Sequence, residues 1–253
     1  MRNIRFVVSY DGTHYSGFQT QPSGNTVQDQ LEKAILKLTG ETVKVTSSGR
    51  TDAGVHARAQ VCNFHTDSRI PVERWSMALN SRLPSDIVVR SADEVPETFH
   101  ARKSAKRKTY SYFIRCSKFH DVFERAYQYH HPGHLDIAAM KDAITAIVGE
   151  HDFTSFCSVH TELESKVRTI YEAAIEHIPD AGDLPETSGV LKITVTGNGF
   201  LYNMVRIIVG TLIEIGEGKR PAAEMRAILE ARDRSRAGPT AMAHGLMLWS
   251  VEY

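Results

Sequence analysis

The sequence predicts an α+β fold: two split-βαβ (ferredoxin-like) subdomains sharing an extended, mainly antiparallel sheet, with helices on one side and a central cleft. Three observations predict it. From Arg2 to Val95 the pattern runs strand, helix, strand, strand, helix, strand, which is the split-βαβ order. The second half repeats that theme loosely. A dense basic segment, Arg102-Lys103-Ser104-Ala105-Lys106-Arg107-Lys108, marks the join, giving subdomains 1–105 and 106–253.

Arg2–Tyr10 alternates apolar and polar residues and reads as a strand. Thr26–Leu38 reads as a helix, because Val27, Leu31, Ala34, Ile35 and Leu38 share a face. Thr26 suits the N-cap with Asp29 three residues on, and Gly40 stops the helix. Strands Val43–Ser47 and Ala59–His65 follow. A helix from Pro71 to about Ser81 precedes strand Ile87–Val95. In the second half, Lys108–Arg115 is a strand and Asp136–Val148 a helix ended by Gly149. Val167–His177 and Val190–Thr196 are strands around a polar, turn-rich loop, Asp180–Gly189. A helix from about Phe200 to Ile215, another after Pro221, and strand Leu246–Glu252 complete the chain.

At 253 residues the chain can bury a substantial core. Its apolar fraction of 42% and charged fraction of 24% are ordinary for a globular protein. No apolar run reaches the ~20 residues needed to span a bilayer. Met1-Arg2-Asn3-Ile4-Arg5 leads into a strand pattern without a signal-peptide core. Cys62, Cys116 and Cys157 are odd in number and widely spaced. They point to a reducing cytoplasm rather than a disulfide framework, and without a C-x-x-C pair they predict no zinc site.

The net charge of +0 hides an asymmetry. Residues 1–125 hold 19 Lys+Arg and 13 Asp+Glu, a balance of +6; residues 126–253 hold 11 and 17, a balance of −6. Screening confines each charge to roughly 8–10 Å, so a basic patch can bind nucleic acid on a neutral protein. RNA affinity carried by such a patch falls steeply with salt.

The most informative stretch is Gly49-Arg50-Thr51-Asp52-Ala53-Gly54-Val55-His56. It sets one carboxylate beside a guanidinium and between glycines, which let the backbone turn sharply and a ligand approach closely. The same residues also build a plain Gly-rich hairpin with solvated charges. Tyr202–Ile213 is apolar almost all round, so it is expected to be buried with Arg206 in its middle. A buried guanidinium needs an anion. Asp52 is one candidate; the alternatives are a structural cation capping carbonyls or a pair with Glu214 or Asp152. Tyr110 and Tyr112 face the same side of their strand, so each could line the cleft or pack in the core. The twelve histidines include no H-E-x-x-H spacing. No Walker loop is present, and Gly216-Glu217-Gly218-Lys219-Arg220 reads as a helix-ending turn.

Together these segments resemble the tRNA pseudouridine synthases of the TruA type. Tyr10-Asp11-Gly12-Thr13, Gly17-Phe18-Gln19 and Thr26-Val27-Gln28 resemble the family's opening. Gly49–Ala57 resembles its catalytic loop, and Phe99-His100-Ala101-Arg102 with Lys108–Tyr112 its central motif. His151-Asp152-Phe153, Val167–Ile170, Phe200–Arg206, Ala237–Ala241 and Gly245-Leu246 continue the match in order. Met242 departs from it, standing where proline is expected, and would loosen a turn near the site.

The resemblance implies conversion of uridine to pseudouridine at positions 38–40 of the tRNA anticodon stem-loop, without metal or organic cofactor, by a cytoplasmic homodimer. It implies that Asp52 is the catalytic aspartate and Arg206 its partner. Tyr110 would stack on the target base, and Arg50 would assist base flipping. RNA contacts are expected from Arg50, His56, Arg58, Arg102, Lys106, Arg107 and Lys108. A tRNA-folding chaperone without essential chemistry and a base-releasing hydrolase are the alternatives.

Overall fold

The computed structural model describes residues 1–22, 24–158, 164–180 and 188–253. Among these, strands are paired mostly antiparallel and helices are few, an α+β architecture. The chain forms two compact units. One comprises Met1–Lys106 with Met247–Tyr253, the other Arg107–Leu246.

In the first unit, β1 (Arg2–Tyr10), α1 (Val27–Thr39), β2 (Thr46–Ser47), β3 (His56–Thr66), α2 (Trp75–Asn80) and β4 (Ile87–Val95) follow the split-βαβ order. β1 lies between β4 and β3, antiparallel to both, and β2 pairs with β3. Thr26 caps α1 by accepting from the Asp29 N–H, and Gly40 ends it at φ 74°. Val27, Leu31, Ala34 and Ile35 are the buried face of α1. Phe64 packs edge-on against Phe6 and Trp75, at centroid distances of 5.8 and 5.3 Å.

β2 is shorter than the strand expected from Val43. Val45 turns its N–H to the Glu32 carboxylate at 2.9 Å, which takes it off the ladder. The neighbouring edge of β3 is occupied at its start by β10 (Leu246–Glu252), which pairs parallel to it through Met247↔His56 and Leu248↔Ala57. The closing strand was expected to belong with the second half. The last seven residues of the chain, Met247–Tyr253, which hold all of that strand but Leu246, lie in the first unit instead. The pairing with β10 also explains why β3 begins at His56, three residues before the alternation at Ala59.

The second unit contains β5 (Arg107–Cys116), β6 (Tyr129–His131), α3 (Ile137–Ile144), β7 (Gly149–Asp152), β8 (Val167–Pro179), β9 (Gly189–Gly197), α4 (Met204–Gly216) and α5 (Glu224–Ala231). Strands β5, β9, β8 and β7 pair antiparallel in that order, and β6 lies parallel on β5. Gly149 opens β7 rather than simply ending a helix, because α3 has already given way to a 3-10 turn at Thr145–Ile147. α4 is buried on most of its surface, as its composition requires, but it starts at Met204. Asn203 holds a left-handed conformation (φ 61°) that breaks the helix there. Gly218, at φ 72°, forms the expected turn after α4. Of the loop expected over Asp180–Gly189, residues 181–187 lie outside the described residues. No helix among the described residues is long and apolar enough to cross a membrane.

Candidate active site

The loop from Gly49 to Val55 joins β2 to β3 and is tied down at both ends. Before it, Ser48 donates its N–H to Val61 O at 2.8 Å and its hydroxyl to Gln60 Oε1 at 2.6 Å. Gln60 Nε2 donates to Gly49 O at 2.8 Å. Thr51 is buried. Its carbonyl accepts from Phe18 N–H at 3.0 Å, and its hydroxyl bonds the Tyr10 hydroxyl at 2.7 Å. Val55 N–H closes a turn onto Asp52 O at 3.1 Å, with Gly54 at φ 76°.

Two distant glycines make this docking possible. A Cβ on Gly12 would overlap the Val55 carbonyl, and one on Gly17 would meet Thr51 O at 2.7 Å. Any side chain at either position would push the loop away. Asp52 therefore sits half-buried on a loop whose backbone is clamped from three sides. Arg50 is exposed beside it.

His56 does not reach an RNA face as expected. Its ring is 1% exposed, and Nδ1 accepts from the Gly12 N–H at 2.9 Å with the Asp11 carboxylate 3.1 Å away. A ring so enclosed cannot meet a phosphate; it supports the loop from below. Arg58, Arg102, Lys106 and Arg107 are exposed, and Lys108 is half-buried.

The basic segment is built into a turn. His100 Nδ1 accepts the N–H groups of Arg102 and Lys103 at 3.1 and 3.3 Å. Ala101, fully buried, donates to Asn63 Oδ1 and accepts from the Tyr253 hydroxyl.

Tyr110 and Arg206 belong to the second unit, Asp52 to the first. Tyr110, 7% exposed, meets Phe200 edge-on at 5.0 Å. Tyr112 is the core member of the pair: fully buried, it donates its hydroxyl to Met242 O at 2.8 Å. Burial pushes its phenol well above the usual range.

Arg206 stands in the first turn of α4 rather than its middle, and it is half-buried. Nε donates to Ala241 O at 2.8 Å and Nη1 to Asn203 Oδ1 at 2.9 Å. Glu214 pairs with Arg220 at 2.7 Å and Asp152 with Arg232 at 3.5 Å, so each of those carboxylates faces another arginine. Phe200, Asn203 and Thr51, which touch Tyr110, Arg206 and Tyr10, were not singled out by the sequence. The only signal for them was their place within the resembling motifs.

No three His, Cys, Asp or Glu side chains gather as a metal site among the described residues. One carboxylate on a glycine-clamped loop, with the exposed Arg50 beside it in the chain, is an arrangement suited to work on a polyanion. The profile of the family described as tRNA pseudouridine synthase matches residues 6–102 and 143–253. The tRNA pseudouridine synthase A of Brevibacillus brevis is 51% identical over 253 residues, covering 100% of both chains. That of Bacillus subtilis is 49% identical over 252 residues, covering 99% of this chain and 98% of the relative. The chain belongs to the tRNA pseudouridine synthase family, an isomerase family that turns uridine into pseudouridine in tRNA. Among solved structures, the crystal structure of a Cbf5-Nop10-Gar1 complex overlaps 83% of this chain and 45% of its own. Its TM-score is 0.34 at 12% identity, too loose a likeness to add to the fold described above.

Proposed function

We propose that this chain isomerises uridines at positions 38–40 of the tRNA anticodon stem-loop, with Asp52 as the acting carboxylate. The observation that carries this reading is the clamp on the Asp52 loop by Gly12, Gly17 and Tyr10. A carboxylate meant to meet one atom of a swung-out nucleotide needs a backbone that does not yield.

The reaction breaks the N1–C1′ bond, turns the uracil and joins C5 to C1′. Those atoms are unreachable in a stacked stem, so the nucleotide is extruded at a cost of a few kcal/mol. Arg50 fills the vacated space. Tyr110, oriented by Phe200, stacks on the base, a contact worth ~1–3 kcal/mol. Arg58, Arg102, Lys106, Arg107 and Lys108 hold phosphates and so fix the register. Arg206 is the counter-cation that keeps Asp52 ionised. The anion adds to C1′ or C6, or removes the C2′ proton. The active form is a cytoplasmic homodimer. The chaperone alternative draws no support from the relatives, whose names are those of synthases.

Mapping pseudouridines in tRNA treated with the purified protein tests the target positions. Tritium release from [5-³H]uridine tRNA tests the carboxylate, because C5 loses its hydrogen. Asp52→Asn is expected to lose about 10³-fold or more in turnover while binding tRNA as before. Substantial tritium release by that variant, or free uracil in place of pseudouridine, would overturn the assignment.

A further inference from the structure

Arg5, Arg58 and Arg107 each lie over an aromatic ring. Arg5 sits over Phe99 and Tyr253, at 5.6 and 5.9 Å. Arg58 lies 4.6 Å over Trp249, and Arg107 lies 4.6 Å over Tyr171. The charge of Arg5 is answered within the protein, by a two-point contact to Asp93 at 3.0 and 2.7 Å. That of Arg58 is not. Among the described residues its guanidinium has no carboxylate partner and donates to no protein acceptor. Arg107 shares this state.

The parallel register explains how Arg58 is held. Leu248 pairs with Ala57, so the next residues along, Trp249 and Arg58, leave the sheet side by side. Because side chains alternate along a strand, they project from the face opposite the buried Ala57 and Leu248. The half-buried indole fixes the plane of an exposed guanidinium. A cation on an aromatic face loses its freedom before any ligand arrives, so binding costs less ordering. Five N–H donors remain in a fork that matches phosphate oxygens.

We propose that Arg58, laid flat on Trp249, is a preset phosphate clamp for the RNA strand beside the reacting nucleotide. The inference rests on the reading that the Asp52 loop addresses RNA. Arg58 follows Asp52 by six residues, a chain distance of at most about 20 Å, which places the clamp within a few nucleotides of the reaction. The ring face of Trp249 is already covered by the guanidinium, so the pair holds backbone and reads no base.

Binding of unmodified tRNA is measured across a salt series, in an Asp52→Asn background so that chemistry does not intrude. Adding Arg58→Ala is expected to weaken binding about 5–10-fold and to flatten the slope of log K against log salt by about 0.7–0.9, one phosphate contact. Adding Trp249→Leu keeps the charge but frees it, with about 2–5-fold weaker binding and an unchanged slope. Arg58→Lys keeps the indole in place; it should preserve the slope and still weaken binding, because an ammonium cannot make the fork.

The proposal falls if Arg58→Ala leaves affinity and slope as they were. It falls equally if Trp249→Leu binds like its parent while Arg58→Ala does not. Should Trp249→Leu fail to fold, Arg58→Lys decides, since parent-like binding by that variant removes any role for the planar fork. Turnover by the Asp52→Asn parent would overturn the aspartate assignment and leave the salt comparison intact.

Discussion

Tyr10 and Thr51 share a buried hydroxyl–hydroxyl hydrogen bond, 2.7 Å long, immediately before Asp52, the proposed acting carboxylate. Removing one partner of a buried pair typically costs about 1–3 kcal/mol. Here the loss falls on the loop that aims Asp52. Tyr10→Phe is therefore expected to lower kcat about tenfold with tRNA Kd held, because small misplacements of a reacting group are costly. Thr51→Ser keeps the hydroxyl and should keep the rate. Single-turnover kinetics alongside tRNA binding checks both; equal loss in Kd and kcat would mean the bond serves binding rather than aim.

At the scale of elements, the segment from Ala237 to Gly245 acts as a strap across α4. Gly210 lets the Pro239 carbonyl lie directly on the helix. Thr211 receives the Gly238 N–H at 2.9 Å. Arg206 and Ala241 bond twice, backbone N–H to carbonyl at 3.0 Å and Nε to carbonyl at 2.8 Å. The strap thus fixes the direction of the Arg206 guanidinium. Met242, where proline was expected, does not distort it. Its φ is −59°, within the range proline enforces, and its side chain is 55% exposed. Met242→Pro should stabilise by about 0.4–1 kcal/mol by restricting the unfolded chain. Calorimetry should show a higher Tm with activity retained, and a lower Tm would show that the backbone there is strained by the ring.

At the scale of the molecule, stability should depend on pH through Glu217. Its hydrogen bond to Lys219, at 2.7 Å, and its contact with His131, at 3.2 Å, hold its carboxyl below the ordinary glutamate range. A carboxylate depressed in the folded state contributes stability above its unfolded pKa, about 4.3. That contribution is lost as pH falls through the lower folded value. Tm measured from pH 6 down to pH 3 should fall less steeply for Glu217→Gln than for the parent. Parallel curves would show that the contacts of Glu217 do not carry the acid transition.

Local and periodic features were legible in the chain alone. Strands β1 and β4 match their expected ends residue for residue, because a period of two with one buried face is written in consecutive residues. The cap of α1 at Thr26 and its stop at Gly40 are likewise local chemistry. So was the Asp52 loop, whose glycines announce an unusual backbone. β6 and β7 were not legible, since three or four residues carry no period and become strands only by pairing with β5 and β8. The burial of His56 depends on Gly12, 44 residues away. The stack of Arg58 on Trp249 depends on a parallel register between chain segments far apart in sequence. The order of residues by itself determined the α+β class, the acidic loop and the family likeness. Tertiary structure alone decided which cations are spent inside the protein and which stay free for a ligand, because a charge is neutralised by its neighbours in space, whatever its neighbours in sequence.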